Sequence, residues 1–281
     1  MNVAAVLMEI LRAAGVRYLF GNPGTTELPF LDALPDSGLE YVLGLQEATA
    51  VAAADGYAQA SGQVGVANVH VAPGLANSLS ILHNAARSKS PLLVTAGQQD
   101  TRFLMDEPIL AGDLVRMAEQ FTKWSYEIRR AEEAPVALRR ALQVALTPPT
   151  GPVFLSLPMD LMGPAVEDTG VGPTPIAART RPDPGAVARA AELLAGAGAP
   201  IVIAGDGVAR SQAVAELTAL AELIGARALA KSSAARATAP GSGRVRAAIG
   251  VGPKPVSSTA GPMRSIGSDR NTGPVGGVSA T

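Results

Sequence analysis

Three short stretches carry the side chains best suited to chemistry, and each begins where an apolar run gives way to a helical pattern. The first is Gly21-Asn22-Pro23-Gly24-Thr25-Thr26-Glu27, directly after Tyr18–Phe20. Its glycines let backbone approach a ligand closely, and N–H groups opening a helix suit an anion or a polar ring edge. Thr25 or Thr26 is placed to cap that helix. A plain strand–helix turn needs the same residues. The second stretch is Leu45-Gln46-Glu47-Ala48, followed by Ala52-Ala53-Ala54-Asp55-Gly56-Tyr57-Ala58. Glu47 ends an apolar run and opens an alanine-rich helix, where the helix dipole also favours a carboxylate for structural reasons. In the third, Asn68 to Asn77, His70 ends a run while Gly74 and Asn77 open the next helix. A lone histidine is usually structural. Three successive strand ends of one parallel sheet can nevertheless converge on a single crevice, and that combination favours a site.

The elements that must position these groups alternate along residues 1–165. The spacing predicts a helix over Met1–Gly15, a strand at Tyr18–Phe20, a helix over Thr26–Leu34 and a strand at Tyr41–Leu45. It continues with helix Glu47–Ser61, strand Val64–His70, helix Leu75–Arg87, strand Pro91–Ala96, helix Ala134–Leu146 and strand Val153–Leu157. Short strands that are apolar throughout and separated by helices signify a parallel sheet covered on both faces, a doubly wound α/β layer. A Gly/Pro-rich linker occupies 166–184, and residues 185–230 read as a partial second α/β domain containing the turn Gly205-Asp206-Gly207.

Composition narrows the possible chemistry. Net charge is −1, so no global field draws in nucleic acid or an anionic membrane. The absence of cysteine excludes disulfides and thiolate sites and fits a cytoplasmic setting. His70 and His83 are the only histidines, too few for a multi-histidine metal centre. No apolar run approaches the ~18 residues of a membrane span. Residues 231–281 contain no leucine or aromatic residue, and seven basic side chains face one acid, Asp269. Disorder is expected there. The abrupt change of composition points to a truncation or frameshift, with a natural basic tail as the alternative.

In order, G-N-P-G-T-T-E-L-P-F, L-Q-E-A, A-D-G-Y-A-Q-A-S-G, N-x-H-x-x-x-G-x-x-N, S-P-L-L-V-T-A-G-Q-Q and G-P-V-F-L-S-L-P resemble the thiamine-diphosphate-dependent enzymes. The resemblance is to the N-terminal pyrimidine domain of the benzoylformate decarboxylase branch, with acetolactate synthases as more distant kin. It implies that Glu47 hydrogen-bonds a ring nitrogen of the cofactor's aminopyrimidine and so favours the imino form, which takes the thiazolium proton. It implies that His70 transfers protons and that Thr25, where the branch has serine, contacts the carboxylate of a 2-keto acid. Asn22, Pro23, Gly24, Gly74 and Asn77 would line the cofactor pocket with Glu47. The function implied is decarboxylation or carboligation of a 2-keto acid.

Two departures qualify that function. The family binds diphosphate and magnesium on a separate domain through G-D-G and a later asparagine. Here positions 230–240, where the family's asparagine would follow Gly205-Asp206-Gly207, contain none, so the triplet is read as a decoy and no metal ligand is assigned. Catalysis is therefore expected only with a diphosphate-domain partner chain, in a homo-oligomer or split enzyme. The alternative is a non-catalytic truncated product or dimerisation module. Trp124 and Tyr126 read as core or interface aromatics, Gln98-Gln99-Asp100 as a polar loop, and Arg129-Arg130 and Arg139-Arg140 as solvated faces.

Overall fold

The computed structural model describes residues 1–167 and 181–230, and the chain divides into two compact units between Arg181 and Pro182. In the first unit, β1 (Tyr18–Asn22), β2 (Glu40–Leu43), β3 (Gly65–Val69), β4 (Leu92–Gln98), β5 (Ser125–Glu127) and β6 (Val153–Pro158) form a six-stranded sheet. Its order is β2-β1-β3-β4-β6-β5, and every pairing is parallel. Helices α1 (Val3–Ala13), α2 (Leu28–Leu31), α3 (Glu47–Ser61), α4 (Val71–Ser88), α5 (Leu114–Ala118) and α6 (Ala134–Leu146) surround it.

Period-two alternation explains how the sheet is covered twice. Leu19, Val66, Leu93, Val153 and Leu155 join one core with α1 and α6, while Phe20, Ala67, Val94 and Phe154 join the other with α3, α4 and α5. Phe154 is fully buried, which stabilises by about 1.5–3 kcal/mol relative to leaving such a side chain in water. This is the doubly wound α/β layer expected from the sequence. Gly65 shows how closely it packs: a Cβ there would overlap the carbonyl of Ala54 in α3.

Several local expectations change. β2 is an edge strand with Val42 and Leu43 exposed, so its apolar run does not signify burial on both faces. α4 starts at Val71 instead of Leu75, because Pro73 falls in the first turn, where a missing N–H costs no helical bond. The segment read as helix Thr26–Leu34 is a 3-10 turn, Thr25–Glu27, followed by the four residues of α2. β5 and α5 are too short to show a periodic signal and were not anticipated.

The second unit contains α7 (Pro184–Ala195), β7 (Ile201–Ala204), α8 (Asp206–Arg210), α9 (Val214–Leu223) and β8 (Arg227–Ala230), with β7 and β8 paired in parallel. Asp183 caps α7 by accepting from the Ala186 N–H at 2.7 Å. Gly205-Asp206-Gly207 is not a free turn: Gly205 caps α8, and Asp206 pairs with Arg210 at 2.9 Å within it. The disorder expected over 231–281, and most of the linker expected over 166–184, lie outside the described residues. Among those described, no helix is long and apolar enough to cross a membrane.

Candidate active site

The sheet order reverses between β1 and β3: β1 leads to β2 on one side, and the later strands extend from β3 on the other. Ligands of open parallel sheets bind at the carboxyl ends flanking such a point. Asn22 and Val69, the last residues of β1 and β3, are register partners there. The turn Pro23-Gly24-Thr25-Thr26 and the imidazole of His70 follow directly from them.

Glu27 organises this corner. Its side chain is wholly buried, and its carboxylate gathers donors from three strand ends. Oε2 accepts from the Gly24 N–H at 2.7 Å and lies 2.7 Å from His70 Nδ1. Oε1 accepts from the Gly97 N–H at 2.8 Å, the Thr26 hydroxyl at 2.9 Å and the Val71 N–H at 3.4 Å. Val71 reaches it through a strained backbone, with φ at +38° in a β-branched residue. Such strain costs roughly 1–3 kcal/mol and concentrates at functional sites. Gly24 and Gly97 are glycine for steric reasons. A Cβ on Gly24 would overlap the His70 ring, and one on Gly97 would overlap Oε1 of Glu27. Among the described residues the buried Tyr41 hydroxyl has no hydrogen-bond partner, and it fits against Gly21. Burial, and secondarily the charge of Glu27, push its pKa well above that of an ordinary phenol, making it a weaker acid.

Glu47 occupies a second, more open corner. It is the first residue of α3, whose cap Gln46 accepts from the Thr49 N–H at 3.2 Å. Packing of α3 on α4 brings its carboxylate beside Gly74, where a Cβ would sit 3.1 Å from Glu47 Cγ. Asn77 donates to Oε2 at 3.0 Å, whereas Oε1 has no hydrogen-bond partner among the described residues. The first turn of α4 links the two corners, because the Gly74 N–H donates to the His70 carbonyl at 2.8 Å. A half-exposed carboxylate with an unused oxygen can accept one further hydrogen bond from a donor brought to this corner.

The structure thus gathers Gly24 with His70, and Glu47 with Gly74 and Asn77. Asn22, Pro23 and Thr25 lie in the connecting turn, with Thr25 exposed and Thr26 buried beneath it. Glu27, Thr26, Tyr41 and Gly97 were missed as site residues; the available signal was a glutamate three residues after Gly24 inside the first motif. Gln98 is tied by its amide to the Gly112 carbonyl and Glu127, and Gln99 to the Ile109 carbonyl. Asp100 caps the following turn, and hydrogen bonds from Arg102 hold its carboxyl down to about 2. Trp124 and Tyr126 stack at 5.5 Å against the core, with Arg140 over Trp124. Among the described residues, no cluster of three or more His, Asp or Glu could hold a metal ion.

Residues 1–117 match the family of thiamine pyrophosphate enzymes, N-terminal TPP binding domain. The chain is 38% identical over 245 residues to benzoylformate decarboxylase of Pseudomonas aeruginosa, covering 85% of this chain and 46% of that protein. It is 34% identical over 233 residues to a probable acetolactate synthase large subunit of Methanocaldococcus jannaschii, covering 80% of this chain and 39% of the relative. The solved thiamine diphosphate-dependent 4-hydroxybenzoylformate decarboxylase of Rhodococcus jostii superposes with a TM-score of 0.78 at 34% identity, over 82% of this chain and 44% of that one. The chain spans less than half the length of each of these relatives. With the sheet, the six ordered motifs and these similarities in agreement, the chain belongs to the thiamine-diphosphate-dependent enzyme family through that family's N-terminal cofactor-binding domain.

Proposed function

We propose that this chain holds the pyrimidine end of thiamine diphosphate and contributes Glu47 and His70 to decarboxylation or carboligation of a 2-keto acid. The bound cofactor supplies a nucleophilic carbon and an electron sink for the departing carboxylate. Glu47 accepts from the ring edge with its unused Oε1, while Asn77 fixes Oε2 from the other side. Gly74 leaves room beneath that carboxylate, and Asn22, Pro23 and Gly24 line the adjoining turn. The exposed hydroxyl of Thr25 orients the substrate carboxylate, and His70 moves a proton to or from the reacting group. Diphosphate and magnesium bind a domain supplied by another chain, and the assembly is cytoplasmic. The observation that carries this reading is the open acceptor of Glu47 at the point where the sheet order reverses.

Calorimetric titration with thiamine diphosphate and magnesium, with and without the diphosphate-binding domain of a relative, tests it. Binding is expected to strengthen sharply when that domain is added, and turnover of a 2-keto acid should appear only then. Glu47→Gln should abolish turnover of the combined system. Tight binding by the chain alone, or turnover that survives Glu47→Gln, would contradict the assignment.

A further inference from the structure

We infer that Glu27 is a positioning residue that fixes His70 in one tautomer, with the proton on Nδ1 and the lone pair on Nε2. The relevance of that lone pair to turnover rests on the proton-transfer role proposed for His70; the tautomer itself does not.

The inference follows from counting protons around Nδ1. Two oxygens face it, Glu27 Oε2 at 2.7 Å and Thr26 Oγ1 at 3.2 Å. Thr26 directs its only hydroxyl proton to Glu27 Oε1, so it can meet the imidazole solely as an acceptor. Glu27 receives three backbone N–H groups and that hydroxyl, a set that calls for an acceptor-only carboxylate. Neither neighbour offers Nδ1 a proton, so Nδ1 must carry its own. In a neutral imidazole the other nitrogen is then the acceptor. Nε2 has no partner among the described residues, and the His70 side chain retains 23% exposure at the strand ends. The same logic orients a histidine through a buried carboxylate in hydrolase triads, where the carboxylate sets the tautomer without taking the proton.

Nitrogen-15 NMR of the intact chain reads the tautomer directly. With only His70 and His83 present, a His83→Gln variant assigns the two imidazoles. At a pH where His70 is neutral, the protonated-nitrogen resonance should belong to Nδ1 and the unprotonated one to Nε2. In Glu27→Gln the new amide can donate, and the two resonances should exchange places. A wild-type spectrum with Nδ1 unprotonated, or with both tautomers equally populated, overturns the inference even if no variant folds. A Glu27→Gln protein that folds and keeps the wild-type pattern also overturns it, because the carboxylate would then not be the controlling group. All of these readings are made without cofactor, so they stay separate from any failure of the Glu47 assignment.

Discussion

Two glutamates stand a few residues beyond strand ends of one sheet, and they differ in almost everything but their side chain. Glu27 is sealed beneath the turn after β1, with donors arriving from the ends of β1, β3 and β4. Glu47 stands half-exposed on α3 and, among the described residues, holds a single side-chain donor and has one oxygen without a partner. A saturated acceptor cannot take up a ligand without losing a bond it already has; an unsaturated one can. The difference teaches that burial and hydrogen-bond density mark the carboxylate that shapes the corner, whereas spare acceptor capacity marks the one free to take up a ligand, the part we propose for Glu47.

Substitution should separate the two. Glu27→Ala strands the N–H groups of Gly24, Gly97 and Val71 together with the His70 ring, and a loss of about 3–5 kcal/mol is expected in urea unfolding. A loss below about 1 kcal/mol, the usual scale for a surface change, would mean that the buried corner is not held by this residue. Tyr41 gives a pH-dependent version of the same contrast. Its phenol is raised above its ordinary value of 10.0 in the folded chain, by burial first and by Glu27 second. Its contribution is therefore complete below pH 10 and declines as pH rises further, by up to about 1.4 kcal/mol per pH unit. Tyr41→Phe should flatten that alkaline decline in unfolding free energy, and an unchanged slope would remove the phenol from the corner. Glu47→Gln lies at the other extreme. Its stability should stay within about 0.5 kcal/mol of the parent in the same unfolding assay, and a larger loss would make Glu47 a structural residue after all.

Much of the layer was readable from the residues alone because it rests on local signals. Helix Glu47–Ser61 and helix Ala134–Leu146 occur with the expected bounds, since a first-turn acid or proline and a clear end marked each one. Glu27 was in plain view inside the first motif and still went unassigned. Its partners Val71 and Gly97 lie 44 and 70 positions away, and only the pairing of β1, β3 and β4 brings their N–H groups to it. Gly97 carries no signal of its own near the strand end, and its missing side chain is the space that Glu27 fills. Pro73-Gly74 pulled the expected start of α4 four residues too late, and the left-handed Val71 that starts it leaves no mark in composition. β2 misled for the opposite reason, because an apolar run does not record whether a strand lies at the centre of a sheet or at its rim.

The bare backbone of Gly24 against the imidazole has one further effect. A ring held flat by a peptide on one side and tethered at one nitrogen by a carboxylate cannot swivel about its bond to the chain. Its torsional freedom is given up during folding, together with that of the rest of the core, and little of it is left to be lost when a ligand arrives. The remaining nitrogen keeps a constant bearing, so an atom brought to the strand ends would meet an imidazole already at rest.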